Sequence, residues 1–264
     1  MSIRIVTVDA FTDRPFAGNP AAVCVLAERR TDQWMRDVAR EMNLSETAFL
    51  IPGEEAFQLR WFTPAVEVDL CGHATVASAH VLWEDGHLPA DRQARFDTRS
   101  GRLLADRRGD WIELDFPAKI AAAADPPPHL LTSLGLKQAV WIGKNAFDYL
   151  VEVDSEETLR ALRPNHGELR KVPVRGVVVT ARSSSSRFDF VSRFFAPGSG
   201  IDEDPVTGSA HCALAPYWAG KLGKREFTAF QASARGGIVR VRLEGDRVII
   251  GGQAVTIMRA ELQW

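Results

Sequence analysis

The chain has 264 residues, 45% of them hydrophobic, enough to bury a sizeable core as one large domain or two of ordinary size. Thirty-two basic and 34 acidic residues leave a formal charge of −2 with the signs mixed along the chain, so no footprint for nucleic acid or an anionic membrane is present. No apolar run approaches the roughly 18 residues of a membrane helix, the N-terminus lacks a signal-peptide core, and three scattered cysteines without Cys-x-x-Cys give no disulfide framework. A cytoplasmic protein with free thiols is expected.

In chain order, short runs rich in Val, Ile and aromatic residues predict strands: "RIVTVDAF", "AAVCVLA", "TAFLI", "FQLRWF", "WIELDF", "QAVWIG", "YLVEV", "GVVVTA", "FDFVSRFF", "IVRVRL" and "RVIIGG". "TDQWMRDVAREM" places Trp34, Met35, Val38, Ala39 and Met42 on one stripe behind Thr31 as N-cap, the pattern of an amphipathic surface helix, and "SEETLRALR" predicts a shorter one. "GHATVASAHVLWEDG" (72–86) and "TGSAHCALAPYWAGKLG" (207–223) carry small and apolar residues all round the helical wheel and end at glycine, which predicts two buried helices. Pro216 should bend the second or remove one backbone bond.

"RWFTP" from Arg60 and "RFFAP" from Arg193 suggest an internal repeat. Seven residues beyond each proline lie Cys71 and Asp204, so the same spacing of 133 residues links both pairs. Each copy runs strand, loop, special residue, buried helix. Two similar halves follow, 1–118 and 119–264, with "AAAADPPPH" (121–129) as linker and the C-terminal strand 252–264 able to return to the first half. A pseudo-twofold arrangement would set two helix N-termini across a cleft, each offering unpaired N–H groups to a small carboxylate.

Cys71 has two open readings: a thiol activated by a helix N-terminus, or a small buried residue that packs well. Asp204 is either a cleft carboxylate or a helix cap. His73 suits a substrate carboxylate or a proton near neutral pH, whereas His80 and His211 read as core histidines. No Cys/His/Asp spacing supplies the three or four convergent ligands of a metal site, so none is expected. Glu46, in "MNLSETAFL", sits between a helix end and an apolar strand, a setting that can suit a carboxyl to acid–base work, though from the residues alone a solvent-facing or capping-box role in a turn is the favoured reading.

Four blocks, "VDAFTDRPFAGNPAAVCVL", "NLSETAFL", "RWFTPAVEVDLCGHATVASAHVL" and "RFFAPGSGIDEDPVTGSAHCAL", together resemble the PhzF family of phenazine-biosynthesis-like isomerases, from residue 8 to about 220. The resemblance implies an α+β, diaminopimelate-epimerase-like fold of two pseudo-symmetric halves, each a mainly antiparallel sheet wrapped around a buried central helix, shared with proline racemase. It implies a cofactor-free and metal-free isomerase working on a small carboxylic acid such as trans-2,3-dihydro-3-hydroxyanthranilate, as a homodimer. By the same resemblance Glu46 carries the proton, His73, Asp204 and Ser209 hold and polarise the substrate, and Gly72 and Gly208 let backbone approach it; Cys71 and Thr207 line the anion site. The epimerase relatives use two facing cysteines, of which only Cys71 is kept at the aligned position. An amino-acid epimerase using Cys71 with Asp204, or a silent small-anion binder, stay as alternatives.

Overall fold

A computed structural model describes residues 2–263, in two compact units: residues 1–115 together with 251–264, and residues 116–250. In the first unit β1 (Ser2–Ala10), β2 (Asn19–Val25), α1 (Asp32–Met42), β3 (Glu46–Pro52), β4 (Phe57–Phe62), β5 (Glu67–Val68), α2 (Gly72–Glu84), β6 (Ala94–Thr98), β7 (Gly101–Arg108) and β8 (Trp111–Pro117) follow in order. β1 and β2 are antiparallel, β2 and β3 parallel, β3 and β4 antiparallel, β4 and β6 parallel, and β6, β7 and β8 antiparallel. Short β5 also pairs antiparallel with β4 and delivers the chain to α2.

The second unit repeats this grammar. It holds β9 (Ala122–Ala123), α3 (Leu130–Leu134), β10 (Trp141–Lys144), β11 (Asp148–Glu152), α4 (Glu156–Ala161), α5 (His166–Leu169), β12 (Gly176–Arg182), β13 (Phe190–Ala196), β14 (Ile201–Asp204), α6 (Gly208–Leu222), β15 (Glu226–Gln231), β16 (Gly237–Glu244) and β17 (Arg247–Gly252). β10 and β11 are antiparallel, β11 and β12 parallel, β12 and β13 antiparallel, β13 and β15 parallel, and β15 and β16 antiparallel. The last strand, β18 (Ala254–Gln263), returns to the first unit and pairs antiparallel along β1. Antiparallel pairs dominate in both units, as an α+β fold of this kind requires.

Each unit encloses its own buried helix. Ten of the 13 residues of α2 are buried, from His73 to Trp83, because side chains on every face are small or apolar. Fully buried Val76 and Leu82 contribute about 1.5–3 kcal/mol each. The polar Thr75 and Ser78 are accommodated by bonding the carbonyls one turn back, Cys71 O and Ala74 O. α1 covers the sheet from outside. Thr31 Oγ1 accepts the Trp34 amide at its start, and Met35, Val38 and Ala39 pack on Cys24, Phe49 and Phe62. In α6, Pro216 has no amide to give to Cys212 O, and that carbonyl accepts the Lys119 amide instead (2.9 Å).

One side-chain device recurs in both units. Arg60 on β4 grips Glu67 through two bonds of 2.7 Å and lies over the Phe62 ring; Arg193 on β13 grips Glu203 through two of 2.8 Å and lies over Phe195. These forks fix the loops leading into α2 and α6. The expected linker 121–129 is not one: Ala122 and Ala123 pair with Lys144 and Gly143, so the proline run lies inside the second unit. Among the described residues no helix is long and apolar enough to cross a membrane.

Candidate active site

The structure sorts the expected residues into two groups, one in each unit. In the first, parallel register places Ala21 of β2 beside Glu46, the opening residue of β3, while β5 and the following loop end at Cys71, the N-cap of α2. Three side chains separated by 25 and by two positions thereby converge. His73 Nε2 lies 3.1 Å from Glu46 Oε2, and Cys71 Sγ lies 3.5 Å from Nδ1 and 3.9 Å from Nε2 of the same ring. All three are buried, at 8% exposure for Glu46, 6% for Cys71 and 5% for His73. Glu46 Oε2 has no aligned hydrogen bond among the described residues.

A fourth member was not anticipated. Asn19, wholly buried at the start of β2, places its side-chain nitrogen 3.1 Å from His73 Nδ1. An amide carries one donating and one accepting end, so it can serve either state of the ring. The sequence signal was the Gly-Asn-Pro step that opens β2. Gly18 there has φ +65, and a Cβ on it would stand 2.1 Å from Ala10 O, so only glycine lets the chain turn tightly into Asn19.

The electrostatics bear on the two readings of Cys71. The N-terminus of α2 does not activate Cys71: burial first, then the charge of Glu46, pushes the thiol up to about 11, and it stays protonated at neutral pH. Burial opposes charge on His73, yet the Glu46 carboxylate 3.1 Å from Nε2 outweighs it and holds its pKa above the usual imidazole value. The imidazolium is therefore available to an anion near neutral pH. One donor atom from each of Glu46, Cys71 and His73 lies within 4.8 Å of the others, a convergence not expected from the sequence. Strand register brings Glu46 to the other two, which spacing along the chain cannot express.

In the second unit α6 begins at Gly208 behind Thr207 as N-cap, three residues later than the repeat spacing implies. The 3-10 turn Pro197–Ser199 and a longer β14 absorb the insertion. Cys71-Gly72-His73 thus corresponds structurally to Thr207-Gly208-Ser209, and the helix-start counterpart of Cys71 is Thr207, not Asp204. Asp204 is not the helix cap; its carboxylate accepts the Thr207 hydroxyl from the end of β14. Gln231 locks the pair by accepting the Thr207 amide (2.8 Å) and donating to Asp204 O (2.8 Å). Ser209 Oγ accepts from Arg175 Nη1 (2.9 Å), and Arg175 is itself forked onto buried Asp148. Because the guanidinium occupies a lone pair, the Ser209 proton is free to donate elsewhere.

The two histidines further along the buried helices differ. His211 is wholly buried with Nδ1 donating to Thr207 O, whereas His80 is only partly buried and meets Thr256 Oγ1 and Glu84. A cavity of about 510 Å³ lined by His80, Trp83, Glu84, Arg107 and Asp110 lies toward the C-terminal end of α2 and includes none of Asn19, Glu46, Cys71 and His73.

Comparison with known proteins identifies the family. The family model described as phenazine biosynthesis-like protein (PhzC-PhzF) matches residues 8–260. The chain is 55% identical to an uncharacterized isomerase of Halalkalibacterium halodurans over 263 residues, 99% of each chain. The crystal structure of a PhzF-family phenazine biosynthesis protein of Enterococcus faecalis superposes with a TM-score of 0.95 at 38% identity, covering 100% of both chains. A probable proline racemase of Agrobacterium radiobacter, at 12% identity and a TM-score of 0.66 over 99% of this chain and 93% of that one, shares the fold. The chain belongs to the phenazine biosynthesis-like (PhzC-PhzF) family and is an isomerase.

Proposed function

We propose that the protein is a cofactor-independent isomerase of a small carboxylic acid, resembling trans-2,3-dihydro-3-hydroxyanthranilate, that moves one proton between two carbons of the same bound molecule. Glu46 removes the proton from the first carbon and returns the same proton to the second, so proton count and charge balance without a partner acid. The observation carrying this reading is the buried Glu46 carboxyl, its Oε2 held 3.1 Å from His73 Nε2 with no aligned hydrogen bond. In the first unit His73 as imidazolium takes the substrate's carboxylate, and in the second the Ser209 hydroxyl is a donor suited to the same kind of anion. The first-turn amides at Gly72 and Gly208 stabilise charge that builds as the proton leaves, and Asp204 and Thr207 shape the second helix start.

The thiol of Cys71 lines this site without acting as base, which its neutral state supports. A two-base epimerase using Cys71 and Asp204 finds less support, because the helix-start position matching Cys71 carries the hydroxyl of Thr207. A silent anion binder leaves the Glu46 placement without a purpose. The enzyme is further proposed to act as a cytoplasmic homodimer without nucleic-acid or membrane partners, in keeping with its mixed charge.

Proton NMR in D₂O on wild type and Glu46→Gln, with trans-2,3-dihydro-3-hydroxyanthranilate, follows double-bond migration and deuterium uptake. Turnover by wild type, reduced at least roughly 10²-fold in the variant, is expected. An undiminished rate in Glu46→Gln removes Glu46 from the mechanism; no turnover by wild type withdraws this substrate.

A further inference from the structure

Glu46, Cys71 and His73 present three different donor types, an oxygen, a sulfur and a nitrogen, from three points on one rigid unit. Around a zinc ion with bonds of about 2.0–2.3 Å, tetrahedral ligands stand roughly 3.3–3.8 Å apart. The Nε2 to Oε2 separation is 3.1 Å, the Nε2 to Sγ separation 3.9 Å, and all three donor atoms lie within 4.8 Å of one another, so the tripod closes with side-chain shifts of at most about an ångström. Second, the Glu46 side chain is nine-tenths buried and its Oε2, which faces the ring, has no aligned hydrogen bond, so an acceptor is left for a cation to satisfy. Third, Asn19 stands 3.1 Å from Nδ1, where an outer partner belongs: with Nε2 on a metal, Nδ1 carries the proton and the turned amide accepts it.

We infer that Glu46, Cys71 and His73 form a binding site for a thiophilic divalent cation, Zn²⁺ above all, and that the metal-loaded protein is inactive. The thiol and the imidazolium Nε2 each give a proton to solvent as the Zn–S and Zn–N bonds form, and a water or a substrate oxygen takes the fourth position. One carboxylate and one thiolate balance the two charges of the ion, which offsets the unfavourable pole at the start of α2. Zinc thereby occupies the lone pairs that proton transfer needs. Binding is independent of the isomerase reading, and only the inactivation rests on it.

The test uses Co²⁺ as a visible substitute for zinc, added to purified reduced protein without substrate. One Co²⁺ per chain is expected, with a thiolate-to-cobalt charge-transfer absorption that equimolar Zn²⁺ abolishes. Cys71→Ser should lose the band, Glu46→Gln should weaken Co²⁺ binding at least roughly tenfold, and Cys212→Ser, altered far along α6, should keep both band and affinity. Circular dichroism establishes that each variant is folded; if Cys71→Ser is not, the Glu46→Gln affinity decides. Absence of the band in wild type, its persistence in Cys71→Ser, or unaltered affinity in Glu46→Gln overturns the site. Where the band appears and zinc leaves turnover unchanged, the inactivation is overturned; where no turnover exists to inhibit, the isomerase reading fails by itself and the metal site stands.

Discussion

His211 should make the protein lose stability in mild acid. The ring is wholly buried in α6, Nδ1 donates to Thr207 O at 2.9 Å, and Nε2 has no hydrogen-bond partner among the described residues. Burial therefore drives its pKa down from 6.5 to about 4, only partly opposed by the Thr207 carbonyl. With the folded value depressed, the unfolded chain binds the proton more readily. The contribution is complete above the unfolded value and is lost as pH falls from about 6.5 toward 4. At 1.36 kcal/mol per pH unit the full swing is about 3 kcal/mol, of which about 2 kcal/mol is gone at pH 5. Urea unfolding of wild type and His211→Asn at pH 7.5 and 5.0 isolates the effect. Asparagine keeps a donor near Thr207 O but does not titrate, and its packing cost is the same at both pH values. The acid loss in wild type should exceed that in the variant by about 2 kcal/mol. Equal losses in the two proteins would refute the argument, and His211 would have to be ionising without cost.

Two further perturbations address the site. Arg175→Gln removes the charged donor on Ser209 and leaves Asp148 unpaired, so the KM for the carboxylate substrate should rise roughly tenfold or more with kcat little altered; an unchanged KM separates Ser209 from binding. Gly18→Ala forces a side chain to φ +65 and to 2.1 Å from Ala10 O, and should cost at least about 2 kcal/mol in urea unfolding while displacing Asn19; wild-type stability would show that the turn relaxes freely.

Much of the molecule was legible before its structure. Alternating β-type runs marked the strands, the all-round apolar wheels of 72–84 and 208–222 marked the helices that both sheets enclose, and Thr31 marked the start of α1. Glu46, Cys71 and His73 could be named from their settings. Their meeting could not be derived, because it depends on the parallel pairing of β2 with β3, whose partners lie 25 residues apart. Asn19 was hidden for the same reason: its partner His73 is 54 residues away, and a Gly-Asn-Pro step reads as an ordinary turn. Counting from the repeated prolines failed by three residues because a constant spacing cannot register an insertion, and the loop before α6 holds one. The proline-rich stretch looked like a spacer by composition, but two alanines ahead of it suffice to add an edge strand.

Pro216 has an outcome beyond the helix it interrupts. By declining the bond to Cys212 O it leaves an acceptor that Lys119, just past the junction where the chain enters the second unit, takes up. The imino acid thus works as a mooring: the vacancy it opens in α6 ties down the incoming backbone through the Lys119 amide, while the Asn145 side chain holds the carbonyl of the same residue. Replacing it with alanine would let α6 reclaim the carbonyl, and the gain in helical regularity would be set against a cast-off Lys119 amide and a looser entry into the second unit.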